Sequence, residues 1–308
     1  MKILQPTDDA IRTAADALRS GELVGFPTET VYGIAASAID RSAILKTFAL
    51  KKRPAENPLI VHVISLDQAS DLVTSIPDNA RMLAARFWPG PMTLVLPKSS
   101  KVPLEATGGL DTVAIRVPRH PVALAILAVA ELPLTAPSAN AFMGLSPTLA
   151  EHIAPKILEG LACVIDGGPC DVGVESTVID CSGGDPVILR PGGLSRRVIE
   201  AVLGRTVLLR DSNDHRAPGG YRRHYSPRTP VRLVKKLGEF DAGIGFAPPQ
   251  NIRQVQLSID PHDYARALYS SLFKLDQMGR LEILIEMPPD TMEWEAVWDR
   301  IEKATGEG

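Results

Sequence analysis

A chain of 308 residues, 45% hydrophobic and 22% charged, is long enough for two domains and too apolar to be disordered. Its longest unbroken apolar run, Val122 to Ala130, has nine residues, against the ~20 of a membrane-spanning helix. A net charge of −3 excludes the broad basic face of a protein that grips nucleic acid through many phosphates.

The N-terminal segment MKILQPTDDA lacks the basic-then-apolar pattern of a secretory leader. The first helix is predicted to begin at Thr7, an N-cap, and to end before Gly21, with Ala10, Ile11, Ala14 and Leu18 apolar. A strand follows over 23–26, then the polar turn Pro27-Thr28-Glu29-Thr30, and a helix over 41–50 with Ile44, Leu45 and Phe48 on one face. Further strands are predicted over 59–64, 93–96, 112–117, 164–166, 177–180 and 187–190, with helices near 79–87, 121–130, 148–159 and 195–203 between them. Interleaved helices with several direct strand-to-strand steps predict an α/β or α+β sheet layered with helices. Near residue 207 the composition turns polar and Pro/Gly-containing, which reads as a linker. Beyond it, residues 231–308 predict a small β-β-β-α-β-α domain. Charge follows this division: net −2 over 1–207, +3 over 208–230 and −4 over 231–308. A short cationic stretch between two acidic parts suits a small polyanion. Three cysteines, Cys163, Cys170 and Cys181, form no CxxC pair, so neither a disulfide framework nor a zinc site is expected, and a reducing cytoplasm fits.

Three segments can carry chemistry. Lys51-Lys52-Arg53 ends a predicted helix, where cations complement the dipole; Pro54 and Pro58 also stiffen the stretch that bears Arg53 and Asn57, which suits an anionic ligand. The run from Leu134 to Asn140, followed by Ser146-Pro147-Thr148, is either an ordinary Ser/Asn/Pro turn or a place where backbone approaches a ligand. The glycine-rich run 167–177, with Arg190-Pro191-Gly192-Gly193 after it, lacks the ending of a Walker loop and the spacing of a dinucleotide fingerprint. His62 alone reads as a structural histidine, and no HExxH or Gly-x-Ser-x-Gly is present.

Taken together, Phe26-Pro27-Thr28-Glu29-Thr30-Val31-Tyr32-Gly33, Lys51-x-Arg53-Pro54-x-x-Asn57-Pro58-Leu59, Phe87-Trp88-Pro89-Gly90-Pro91, Ile115-Arg116-Val117-Pro118, Ala136-Pro137-Ser138-Ala139-Asn140 and Gly173-Val174-Glu175-Ser176-Thr177 resemble, in order, the motifs of the threonylcarbamoyl-AMP synthase family. His224-Tyr225-Ser226-Pro227 resembles the linker motif of its two-domain form. Lys52 stands where glycine is common, Gly220-Tyr221 where the linker often has Met-Lys, and the C-terminal part matches more loosely.

The resemblance implies a twisted mixed α/β sheet with a large concave cavity (the YrdC/RibB-like fold) over 1–207. A linker and active-site lid over 208–230, with Arg222, Arg223 and Tyr225, and a small Rossmann-like α/β domain over 231–308 would follow. It implies that L-threonine, bicarbonate and ATP give threonylcarbamoyl-AMP and pyrophosphate, with Mg²⁺ on the ATP and no protein metal ligand. The product would pass to a threonylcarbamoyl transferase complex that modifies tRNA; direct tRNA contact is allowed by this reading and not required. Carried onto this chain, Thr30, His62, Arg116, Ala136 and Ser176 would meet threonine. Lys51, Arg53, Asn57, Thr112, Ser138, Asn140, Ser146, Arg190 and Tyr225 would hold the nucleotide, with Lys51 and Arg53 catalytic. Two other readings share the domain type: an RNA-binding module of ribosome maturation, which the acidic total disfavours, and carbamoyl transfer in hydrogenase maturation, whose cysteine-rich zinc motifs this chain lacks.

Overall fold

The computed structural model describes residues 3–210 and 223–306, so Gly220, Tyr221 and Arg222 lie outside the described residues. Strands β1 (Ile3–Leu4), β2 (Val24–Phe26), β3 (Gly33–Ser37), β4 (Ile60–His62), β5 (Met92–Pro97), β6 (Thr112–Arg116), β7 (Leu134–Thr135), β8 (Cys163–Ile165), β9 (Thr177–Asp180), β10 (Val187–Arg190) and β11 (Leu208–Leu209) form one mixed sheet. Its order is β1-β8-β2-β3-β7-β4-β6-β5-β9-β10-β11. Helices Asp8–Arg19, capped by Thr7, and Pro121–Ala130 share a core with Phe26, Ala35 and Leu134. A second core gathers Leu83 and Ile199, from helices Asp78–Phe87 and Arg196–Leu203, with Leu94 of β5 and Ile115 of β6. The doubly buried sheet that results is the α/β layering expected of the pattern.

Two local expectations change. The helix predicted over 148–159 is split into a 3₁₀ turn, Ala150–His152, and a short helix, Pro155–Leu158. Pro155 has no N–H to continue a helix and pushes the residue before it into extended backbone. Strand β3, unpredicted, reads Gly-Ile-Ala-Ala-Ser and is buried along its whole length. A strand covered on both faces shows no period-two alternation to find.

The C-terminal part holds β12 (Val231–Val234), β13 (Gly243–Gly245), β14 (Gln254–Gln256), helix Pro261–Asp276, β15 (Ile283–Glu286) and helix Glu295–Thr305, in the predicted sequence of types. All its pairings are parallel, in the order β12-β15-β13-β14. One apolar cluster joins this sheet's Ile285 and helix residues Tyr269 and Ile301 to Val31, Leu145, Val174 and Tyr225. Gly173, at φ +75°, sits where this packing is close: a Cβ there would lie 2.4 Å from Arg266 Cα. Glycine serves both the left-handed backbone and the close approach.

Candidate active site

Strands β4 and β6 run parallel with His62 beside Arg116. The turn between β2 and β3 is folded by Thr28, whose Oγ1 donates to Val31 O at 2.7 Å and accepts from the backbone N of Thr30. That turn brings Thr30 and Glu29 to Arg116: Nη1 donates to Thr30 Oγ1 at 2.9 Å, and Nη2 stands 2.7 Å from Glu29 Oε1, out of line for a hydrogen bond. Ser176, just before β9, shares a 2.7 Å hydroxyl contact with Thr93 and accepts from Arg190 Nη2 at 3.2 Å.

The second half is built at the end of helix Arg41–Lys51. Lys52 caps it at φ +52°, in the left-handed region, which is the physical reason glycine suits this position. The chain then doubles back, and Arg53 Nη2 donates to Asn57 Oδ1 at 2.6 Å and Pro58 O at 2.8 Å. Lys51 Nζ donates to the carbonyls of Ser138 and Asn140, and Asn140 Nδ2 closes the following turn on Gly144 O at 2.7 Å. Ser146 Oγ donates to Glu175 Oε1 at 2.5 Å.

One cavity is lined by Thr30, His62, Arg116, Ala136 and Ser176 together with Arg53, Ser138, Arg190 and Tyr225. Lys51, Asn57 and Ser146 stand one hydrogen bond behind its wall, and Asn140 stands behind Lys51. Thr112 does not line it and begins β6 at the opposite end from Arg116. Tyr225 is 2% exposed and adopts φ +53°, so the expected covering segment is packed into the cavity at this residue.

Burial decides the charges. Lys51 is driven well below the ordinary lysine value by burial, then by Arg53, with Glu175 opposing. Burial, then Arg116, lowers His62 to about 3, so its ring is neutral, and its Nδ1 has no partner. The side-chain Nδ2 of Asn57 is likewise buried and unpartnered. Burial alone would raise Glu29, but Arg116 outweighs it and holds the carboxyl below its usual range. Burial likewise opposes ionisation of Glu175, yet Arg300 and Arg190 bring it down to about 2. Buried polar atoms left without partners at a polar cavity are what a polar ligand would complete.

Several lining residues carry no sequence-based assignment: Thr28, Glu175 and His224, with Glu29 directly behind Arg116. Each lies inside a quoted motif, within two residues of one that was assigned, and that proximity is the signal. Arg300 and Tyr269, which reach Glu175 from the C-terminal part, had none. Among the described residues no group of three or more His, Cys, Asp or Glu side chains is placed to hold a metal ion. The three cysteines are free and buried, and no described helix is long and apolar enough to cross a membrane.

A mixed sheet carrying this cavity, followed by a smaller parallel sheet, defines a two-part α/β protein, and each part matches a known family. The family described as "Telomere recombination" matches residues 16–192, and "Threonylcarbamoyl-AMP synthase, C-terminal domain" matches 194–306. Threonylcarbamoyl-AMP synthase of Pyrococcus abyssi is 42% identical over 319 aligned residues, covering 96% of this chain and 94% of that protein. The protein of the same name from Bacillus subtilis is 38% identical, covering 98% and 95%. The crystal structure of P. abyssi Sua5 complexed with L-threonine superposes with a TM-score of 0.92 at 40% identity, covering 99% of this chain and 98% of that one. The chain belongs to the threonylcarbamoyl-AMP synthase family.

Proposed function

We propose that this enzyme is an L-threonylcarbamoyladenylate synthase of the nucleotidyltransferase type, acting on L-threonine, bicarbonate and ATP in the first step of tRNA N6-threonylcarbamoyladenosine formation. The observation that carries the reading is the convergence of Thr30, His62, Arg116 and Ser176 with Arg53, Ser138, Arg190 and Tyr225 on one cavity. The relatives' name and the L-threonine in the P. abyssi complex support the substrate.

In this reading threonine occupies the end of β4 and β6. Arg116 meets its carboxylate, Thr30 and Ser176 meet polar groups, and neutral His62 accepts a hydrogen bond from the amine through Nδ1. The amine attacks bicarbonate to give the carbamate and water. A carbamate oxygen then attacks the α-phosphorus of ATP, and pyrophosphate leaves. Both reactants of that second step are anions, so the guanidinium groups of Arg53 and Arg190 lower their repulsion and stabilise the charge growing on pyrophosphate. Holding carbamate and phosphorus in line supplies a further part of the rate. Lys51 acts through the Ser138–Asn140 loop, whose carbonyls it grips, and Asn57 through Arg53. Tyr225 covers the site against water, in which carbamates lose CO₂.

Mg²⁺ would arrive on the phosphates of ATP. Glu29 and Glu175 are each engaged by an arginine, which fits an ion held by nucleotide and water rather than by protein carboxylates. A cytoplasmic setting, delivery to a threonylcarbamoyl transferase and no obligatory tRNA contact complete the proposal. The test is pyrophosphate release from ATP with L-threonine and bicarbonate omitted in turn. Dependence on both, lost in Arg53→Ala, supports the reading; release without threonine points to another acceptor and overturns it.

A further inference from the structure

The Glu175 carboxylate receives its buried charge partner from the far end of the chain. Arg300, in helix Glu295–Thr305, has a side chain that is 0% exposed. Its Nε donates to Glu175 Oε2 at 2.7 Å, and its Nη1 donates to Pro191 O at 3.1 Å. Its Cζ lies 4.9 Å from the centroid of the Tyr225 ring. From helix Pro261–Asp276, Tyr269 adds a hydroxyl donor to the same Oε2 at 3.1 Å. Glu175 and Tyr225 both line the catalytic cavity, and Glu175 accepts from Ser146 through its other oxygen.

We propose that Arg300 is a positioning residue for the synthase reaction: from the C-terminal part it sets the Glu175 carboxylate and the Tyr225 ring together, so that ATP reacts with carbamate and not with water. The proposal rests on the function stated above. A buried ion pair is a poor device for stability alone, because apolar residues of similar volume hold a core as well or better. Besides its neighbour Asp299 on the same helix, which Nη1 also meets, the guanidinium does what an apolar side chain cannot: it binds three more groups at once, the Glu175 carboxylate, a backbone carbonyl of the Arg190–Gly193 turn and an aromatic face. Two of those, Glu175 and Tyr225, are cavity wall, on elements far apart in sequence. Arg300 Nη2 has no hydrogen-bond partner; the Tyr225 ring face lies beside the guanidinium, and Glu175 and Asp299 are its charge partners. Without Arg300, the ring loses its cationic partner and Glu175 is left among Tyr269, Ser146 and the more distant charge of Arg190.

The consequence is specific. Productive turnover joins a carbamate oxygen to the α-phosphorus and releases pyrophosphate. When water replaces the carbamate, the same bond breaks and the products are AMP and pyrophosphate, while the unprotected carbamate takes up a proton and returns to amine and CO₂. The two routes release pyrophosphate alike and differ in threonylcarbamoyl-AMP formed.

The experiment measures both products for the full-length enzyme and for Arg300→Met and Arg300→Lys. Expected for Arg300→Met is a fall of about 10-fold or more in threonylcarbamoyl-AMP per pyrophosphate, with KM for L-threonine within about 2-fold, since Arg300 does not touch that end of the cavity. Arg300→Lys, which keeps the charge and loses the planar fork, should recover part of the ratio. A folded Arg300→Met with the wild-type ratio overturns the proposal, as does one that loses activity through threonine KM alone. Should Arg300→Met fail to fold, Arg300→Lys decides: an unchanged ratio overturns the proposal and a lowered one supports it. The wild-type enzyme's need for threonine and bicarbonate is read in the same assay, so failure of the function itself is separately visible.

Discussion

The two buried glutamate–arginine pairs of the cavity invite comparison. Glu29 and Arg116 meet within the large sheet, through a turn that Thr28 folds next to β6. Glu175 and Arg300 meet across two cores, 125 residues apart in sequence. Both carboxyls stay ionised against burial because a guanidinium stands beside them. The first pair is assembled by local strand geometry, at the end of the cavity proposed for threonine. The second exists only when the C-terminal part is seated, which makes the state of the cavity depend on that seating.

The largest break in this comparison is Arg116→Ala. It is expected to lower kcat/KM for threonine by about 100-fold or more, since a charge-assisted contact to the substrate carboxylate is lost. It should also destabilise the fold by about 3–5 kcal/mol by stranding the Glu29 charge. Adding Glu29→Gln should restore most of the urea midpoint and none of the activity, which separates the two roles. Gly173→Ala strikes the other pair indirectly. Strain at positive φ and the clash with the Arg266 backbone should cost about 2–4 kcal/mol and lower the yield of threonylcarbamoyl-AMP per pyrophosphate. A wild-type melting temperature would refute it.

The pH dependence sharpens the comparison further. His62 and His224 have values lowered to about 3 by burial in the fold, against about 6.5 in the unfolded chain. The unfolded chain therefore takes up protons that the fold refuses, and this contribution to stability, complete above about pH 6.5, is lost as pH falls toward 3. Glu175, at about 2 when folded, contributes stability that is present above about pH 4.3 and lost as pH falls toward 2. Urea midpoints between pH 8 and pH 3 should thus decline in two stages. His62→Gln should remove part of the upper stage, with His224 keeping the rest, and Glu175→Gln should act chiefly on the lower one. The smallest effect concerns Lys52→Gly: relief of the left-handed strain should add about 1 kcal/mol of stability with activity unchanged.

Much of the fold is legible in the chain. Helix Pro121–Ala130 and strands β9 and β10 fall on their predicted residues, because caps, turn residues and apolar periodicity act locally. Strand β3 was not legible, since its small buried residues carry no alternation, and Pro155 breaks a helix whose apolar pattern runs on. The site divides in the same way. Arg53, Arg116, Ser176 and Arg190 could be named from motifs and line the cavity, whereas Thr112, named with them, is not among its lining residues.

What the chain determined by itself is the supply of chemistry: cations stiffened by prolines, hydroxyls in turns, and glycines where backbones must approach. Only the tertiary structure decided which charges survive burial. A side chain's ionisation depends on what lies within a few ångströms in space, and for Glu175 that neighbour is Arg300, on a helix that no local pattern connects to the cavity.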